Sequence, residues 1–420
     1  MMRGLYSFGI SCYALGVRVA SLFNPKAKQM VQGWKRTPCQ ITGASVGEGK
    51  TAWFHASSLG EFEQARPVIE RFHEQHPDYK LCVTFFSPSG YEIRKDYPLA
   101  DVVCYLPMDT RANAARFVAM LRPSVAFFVK YDFWFNYLDQ LCRRGVPTYI
   151  FSAIFRPGQY FFKWYGGWFL GHLQRCYSHL FVQNEESLQL LKSHGVPQVS
   201  IAGDTRFDRV RAIAQNVVAN AVVEHFLACR PDTKVLLAGS SWEPDEAHLK
   251  RFFDKQEQRV SLILAPHVIS DSHIAYIEKL FRPERCVRYS QLAAGGRAEG
   301  RGVLIIDNIG MRSSLYRYAH IAYIGGGFGR GIHNTLEAIT FGKPVVFGPN
   351  YHKFKEACDI IGLGGGFSYS NYEELESVLS RLMGDEAYYQ HASAVCVEYL
   401  EANLGSAEQI VSLVNNNIQH

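Results

Sequence analysis

Short apolar runs alternating with helix-spaced segments constrain this chain more than any other feature. TAWFHAS (51–57), LCVTFFS (81–87), DVVCYLP (101–107), SVAFFVK (124–130) and PTYIFSA (147–153) are separated by helical patterns near 61–76, 90–96, 111–121 and 133–144. Apolar runs without polar alternation fit strands buried on both faces, and a helix between successive strands demands parallel crossovers. HLFVQ (179–183) and VSIAG (199–203) extend this series, and a polar stretch from Asp204 to Gln215 ends it. A second series follows: KVLLAGS (234–240), VSLILAP (260–266), GVLIID (302–307), HIAYIGG (320–326) and PVVFGP (344–349). The pattern predicts an α/β protein of two Rossmann-like βαβ domains with a cleft between them. The expected divisions are 1–35, a membrane-associating segment; 36–204 and 205–385, the two domains; and 386–420, a terminal helix packing back towards the first domain. Ligands of such sheets bind beyond the carboxyl ends of the strands.

Composition removes several classes. Hydrophobic residues make up 47% and charged residues 20%, an ordinary globular balance that excludes a disordered or collagenous chain. A net charge of +5 without a long basic block gives no support for nucleic-acid binding. The ten cysteines form no C-x-x-C pair, which points to reduced thiols in a cytosolic compartment. His73 and His76 have no third ligand or His-Glu-x-x-His pattern beside them, so no metal site is expected.

Leu5–Val17 is nearly free of charge, but Arg18 ends the run short of the roughly 20 residues a spanning helix needs. Lys26, Lys28, Lys35 and Arg36 follow, a flank that the positive-inside tendency keeps cytoplasmic. A helix packed on the body and a membrane anchor or interfacial helix both fit. Residues 154–170, IFRPGQYFFKWYGGWFL, interleave aromatic rings with Arg156 and Lys163, which suits a lipid–water interface and also an aromatic core helix.

Three strand-end loops carry candidate chemistry. In HASSLGE (55–61), Glu61 is placed to act as a general base, and Ser58 with Glu61 also reads as a capping box. The positive end of the following helix is expected to lower the pKa of Glu61. In IGGGFGRGIHNTLEA (324–338), Gly326 and Gly327 precede a helix expected near His333, an arrangement suited to an anion and equally to a tight turn. Asn334 and Glu337 lie one helical turn apart there, positioned for a phosphate and a ribose. Ser240 and Ser241, before a helix near Pro244, suit phosphate oxygens or helix capping.

HASSLGE, GDTRFD, LAGSSW, LAPH, IDNIGM, GGGFGRGIHNTLEA and GKPVVFGP, in this order over residues 53–349, resemble the Kdo (3-deoxy-D-manno-octulosonic-acid) transferases of lipopolysaccharide synthesis. The resemblance implies a GT-B fold, with an acceptor-binding first domain and a CMP-sugar-binding second. It implies inverting, metal-independent transfer from CMP-Kdo to a lipid A precursor of the lipid IVA type. The place implied is the cytoplasmic face of the inner membrane, with no cofactor beyond the donor substrate. Carried over by position, Glu61 matches the base, and Arg206 falls where the family has a lysine that stabilises the departing phosphate. Ile309, Gly310 and Met311 match the cytidine segment, and Pro266 with His267 a donor-binding pair. Asn334, Thr335, Leu336 and Glu337 match the nucleotide-holding stretch. Two positions depart from the family. Asp132 stands for the second of two acids while Lys130 replaces the first, and Val268 stands where basic residues are usual. Two other classes use the same architecture: a two-domain nucleotide-sugar epimerase, and a catalytically silent membrane-associated nucleotide binder.

Overall fold

The computed structural model describes residues 2–418. It divides into two compact units, one built from the chain up to Arg209 together with the residues after Ala402, the other from Val210–Ala402. The chain passes between them inside the helix Arg206–Gln215, where the sequence reads only as a polar crossing.

The first unit holds seven parallel strands: β1 (Thr51–Ala56), β2 (Lys80–Phe85), β3 (Val102–Tyr105), β4 (Val125–Val129), β5 (Thr148–Ala153), β6 (His179–Val182) and β7 (Val199–Ile201). Their order is β3-β2-β1-β4-β5-β6-β7. Successive side chains point to opposite faces, so the continuous apolar runs fill two cores. Trp53, Phe128 and Ile150 pack beneath Phe117, Leu121 and Leu138 on one face. Phe54, Phe127 and Phe151 meet Phe62, Phe72, Ile410 and Val414 on the other. Each of these fully buried side chains contributes roughly 1.5–3 kcal/mol relative to exposure.

The expected single terminal helix is two, Glu386–Ala402 in the second unit and Ser406–Ile418 in the first. Asp208 anchors the latter, its carboxylate accepting from the Gly405 and Ala407 N–H groups at 2.8 Å each. Those are amino-terminal donors that the helix itself leaves unpaired.

At the amino end, α1 (Met2–Ala20) and α2 (Pro25–Gly43) meet at 116°. Asn24 caps α2, accepting from the N–H groups of Lys26 and Ala27, with Pro25 at the first helical position. Gly33 lets α2 lie on β3: a Cβ there would stand 2.1 Å from the Tyr105 ring. Thr37 then donates to the Tyr105 carbonyl at 2.8 Å. Tyr6 of α1 donates to Asp109 at 2.7 Å, and Arg3 pairs with Asp139. One face of α1 is thus fixed to the body, while Phe8, Leu15 and Val19 remain exposed, with Leu22 and Phe23 just beyond its end. Among the described residues no single helix is long and apolar enough to cross a membrane, although the bent pair α1–α2 passes that test together.

The second unit repeats the architecture with β8 (Lys234–Ser241), β9 (Val260–Pro266), β10 (Cys286–Arg288), β11 (Val303–Ile305), β12 (Ile321–Ile324), β13 (Val345–Phe347) and β14 (Gly366–Ser368). All are parallel, in the order β10-β11-β9-β8-β12-β13-β14. The three-residue edge strands β10 and β14 are additions to the sequence reading.

Candidate active site

Glu61 stands in the first turn of α3 (Leu59–Gln75), directly beyond the carboxyl end of β1. Ser58 caps this helix, its Oγ accepting from the Glu61 N–H at 3.5 Å while its hydroxyl donates to Glu61 Oε2 at 3.1 Å. The capping and base readings therefore describe one arrangement. Burial raises the Glu61 pKa; the Ser58 bonds and the charge of Lys130 oppose the rise without cancelling it. This corrects the expectation of a lowered value, since a helix end contributes only about 0.3–1 kcal/mol at exposed sites.

Lys130, at the end of β4, has a left-handed backbone (φ 56°), and its N–H donates to the Phe151 carbonyl at 3.0 Å. That conformation is costly for a residue with a Cβ and is held here by the sheet. The charge of Lys130 acts on Glu61, favouring its charged form.

Asp132 is buried and committed to the loop that carries Glu61. Oδ1 accepts from the Ser57 hydroxyl at 2.6 Å, Oδ2 accepts from the Ser57 N–H at 3.2 Å, and His55 Nε2 lies 3.7 Å from Oδ2. On its other edge His55 Nδ1 meets Thr84 Oγ1 at 2.8 Å, and the same oxygen accepts from Trp53 Nε1 at 2.8 Å. Burial holds His55 down at about 3, so it is neutral near pH 7. Burial, and then the charge of Glu61, push Asp132 well above the carboxylate range. Burial thus weighs on both carboxyls, and at Glu61 the charge of Lys130 opposes the rise. Asp132, the residue that stands for the second of two acids, is thus bonded to the loop that carries Glu61. Arg206, expected at a phosphate, closes on Asp204 through Nε at 2.8 Å and Nη2 at 2.7 Å. Gln64 of α3 donates to the same carboxylate at 3.0 Å.

In the second unit the loops after β8, β9, β11 and β12 all leave the same end of the sheet. Arg312 lies among them. Its Nε and Nη2 each approach a Glu337 carboxylate oxygen at 3.3 Å, and Nη1 meets Ser240 Oγ. His267 stacks between Trp242, at 4.6 Å between ring centroids, and His333, at 4.4 Å. Trp242 Nε1 donates to His333 Nε2 at 3.3 Å. Burial, with His267 and Arg312 nearby, holds His333 down at about 4, and burial with Arg312 lowers His267. Both imidazoles are therefore neutral near pH 7, and Arg312 supplies a fixed positive charge beside them.

Asn334 and Glu337 do meet, at 3.3 Å from Nδ2 to Oε1. The helix expected from His333 is only Leu336–Ile339, and Asn334 reaches Glu337 from a turn in which its Oδ1 accepts from the Leu336 N–H at 3.2 Å. Four residues sum little dipole, so that support for an anion falls away.

Other expected ligands have structural duties. The Gly326 N–H donates to Asp245 Oδ2 at 3.0 Å, and Gly327 packs on Gly348, where a Cβ would stand 2.6 Å from backbone. The Gly326 N–H, expected at an anion, is thus engaged by a carboxylate. The side chains of Thr335 and Leu336 are fully buried. Ser241 donates to buried Glu246 at 2.9 Å, and Glu246 is held at 3.0 Å by His273. Pro266 ends β9 and delivers His267, whose N–H donates to the Ser241 carbonyl at 3.0 Å. Ile309 is 89% exposed, beside Gly310 at φ 100° and Met311, whose sulfur accepts from Asn220 Nδ2 at 3.5 Å. The loop 309–311 thus presents a side chain to solvent at the mouth of the cluster.

Sequence reasoning had not singled out Arg312, His333, Trp242 and the His55–Ser57–Thr84 support. Trp242 and His333 lie within quoted motifs, whereas nothing local marks Arg312. Among the described residues no three His, Cys, Asp or Glu side chains gather to hold a metal.

Aromatic stretch 154–170 divides between its two readings. Phe155, Phe161 and Phe169 are buried in the first core, while Trp164 is 95% exposed beside exposed Lys163 and Tyr165.

Three kinds of likeness bear on this geometry. The family model for 3-deoxy-D-manno-octulosonic-acid transferase (kdotransferase) matches residues 29–209. The 3-deoxy-D-manno-octulosonic acid transferase of Chlamydia pneumoniae is 27% identical over 362 residues, 82% of this chain and 80% of that protein. Among solved structures, the UDP-GlcNAc 2-epimerase of Neisseria meningitidis bound to UDP-GlcNAc superposes with a TM-score of 0.61 at 15% identity, covering 87% of this chain and 100% of that one. MurG of Acinetobacter baumannii does so with a TM-score of 0.55 at 12% identity, covering 87% and 99%. The structural likenesses establish a GT-B type of fold, and in sequence the chain is similar to the Kdo transferases, whose family model its residues 29–209 match.

Proposed function

We propose that this protein transfers Kdo from CMP-Kdo to a lipid A precursor of the lipid IVA type, with inversion and without a metal ion. The observation that carries the reading is Glu61: a carboxylate at a strand end, made more basic by burial, its charged form favoured by Lys130 and its position fixed by Ser58. A base tuned upward from the ordinary carboxylate range removes a hydroxyl proton more readily near neutral pH.

In this reading Glu61 takes the proton from the acceptor hydroxyl as that oxygen attacks the anomeric carbon. The bond from that carbon to the phosphate oxygen breaks on the opposite face, and its electron pair leaves on CMP. The second unit takes the donor. Arg312 supplies positive charge for the phosphate, Asn334 and Glu337 hold sugar hydroxyls, and the Trp242–His267–His333 stack offers a flat face. Arg206, a permanent cation, is assigned to the developing charge on the departing phosphate. The lipid reaches the first unit, where α1 exposes Phe8, Leu15 and Val19, and where Trp164 stands beside Arg156 and Lys163. Apolar rings flanked by cations suit the cytoplasmic face of an inner membrane.

Glu61→Gln tests the assignment. It removes the base and keeps the shape, so turnover should fall at least about a thousandfold with CMP binding intact. Retained turnover would sink the assignment.

A further inference from the structure

A cavity of about 720 Å³ opens in the first unit between α1, α2 and the helix Arg111–Leu121. It lies beside the carboxyl end of edge strand β3, where Pro107 and Met108 line it. Its charge is one-sided. Arg18, Lys35 and Arg116 line it from three different helices, no carboxylate does, and none of the three makes an ion pair among the described residues. All three are exposed. Holding three like charges around one opening without a counter-charge costs Coulomb energy, which an anion would remove.

The rest of the lining is amphipathic. Leu15, Val31, Met108 and Phe117 are apolar, and Thr110 opens the helix Arg111–Leu121, its Oγ accepting from the Asn113 N–H at 3.2 Å. An eleven-residue helix beginning at the cavity adds positive potential there. Beyond Leu15, itself 62% exposed, the apolar surface continues over Val19, Leu22 and Phe23. A bound molecule must therefore carry a negative head and an apolar remainder that continues outward.

We propose that this cavity binds the phosphate headgroup of an anionic membrane phospholipid, whose acyl chains leave across the exposed face of α1. The volume lies within the range of small-molecule sites. The proposal rests on the reading that the protein works at a membrane surface, and it assigns the cavity to a bilayer lipid that is neither donor nor acceptor.

The test uses the full chain and dihexanoyl phosphatidylglycerol below its micellar concentration, with dihexanoyl phosphatidylcholine as the uncharged comparison. Calorimetry should show one saturable site for the anionic lipid, at least tenfold weaker binding of the zwitterionic one, and about fivefold weakening for each cation lost in Arg18→Gln, Lys35→Gln and Arg116→Gln. If the triple variant loses its far-ultraviolet dichroism, Arg116→Gln alone is read by the same criterion. Equal binding of the two lipids, or unchanged binding by the folded variants, overturns the proposal. So does a rise in the KM for detergent-solubilised acceptor in these variants, because the cavity would then hold the acceptor. A wild-type protein that binds phosphatidylglycerol but transfers no sugar would overturn the transferase reading and leave the lipid site standing.

Discussion

Arg312 and Glu337 face each other through two contacts of 3.3 Å, although 25 residues separate them in sequence. The pair is partly buried, so each charge depends on the other until a ligand replaces it. In the proposed reaction, Glu337 exchanges the guanidinium for ribose hydroxyls while Arg312 turns to phosphate. Arg312→Ala should raise the KM for CMP-Kdo about 10- to 100-fold, since a hydrogen bond to a charged group contributes roughly 1.5–3 kcal/mol. Steady-state kinetics with varied donor checks this. Because the two residues form one unit, Arg312→Ala with Glu337→Gln should cost less than the two separate losses combined.

Lys130 lowers the pKa of a Glu61 that burial has raised. Lys130→Met removes the favourable charge, so the acidic limb of kcat/KM should move to higher pH. A pH–rate profile of wild type and variant reads the displacement, and coincident limbs would remove Lys130 from the mechanism.

His55 is fully buried, with a folded value of about 3 against roughly 6.5 unfolded. The unfolded chain binds the proton first. This stabilisation is therefore present above about pH 6.5 and is lost as pH falls towards the folded value, at roughly 1.4 kcal/mol per pH unit. Asp109 works oppositely: burial raises it to about 7, so its penalty is relieved on acidification. Urea unfolding of wild type and His55→Gln between pH 7 and pH 4.5 isolates the histidine, and the variant should lose less stability over that interval.

Gly325 packs so closely on the carboxyl end of β8 that a Cβ would stand 2.1 Å from the Ser240 carbonyl oxygen. Backbone cannot yield as a flexible side-chain tip does. Gly325→Ala should therefore destabilise the protein by roughly 2 kcal/mol or more. Gly384, where a Cβ would meet nothing within 4 Å, should accept Ala with little change. Thermal unfolding of the two variants makes the comparison.

Much of this was legible in the residues, and the reason is local. Strands such as β1 and β5 are buried along their whole length, so their runs are apolar throughout. Edge strands β10 and β14 are three residues long like β11 and β13, but their CVR and GFS carry no apolar run to mark them. Ser58 and Glu61 lie three residues apart, and their pairing is written in the sequence. The Ser57–Asp132 bonds span 75 residues, and Arg312 finds Ser240 across 72. No local pattern encodes either, because the parallel sheet brings distant strand ends together. The helix expected after His333 failed for a related reason: Asn334 turns the chain back on its own backbone, and the helix starts only at Leu336.

The most direct test of the central claim is the mass of the lipid product. The purified protein is incubated with lipid A precursor and CMP-Kdo generated in situ, beside a transferase of known activity. Addition of one or more Kdo residues to the lipid is the predicted result. An unchanged lipid mass, with product formed by the control in the same mixture, would contradict the transferase assignment.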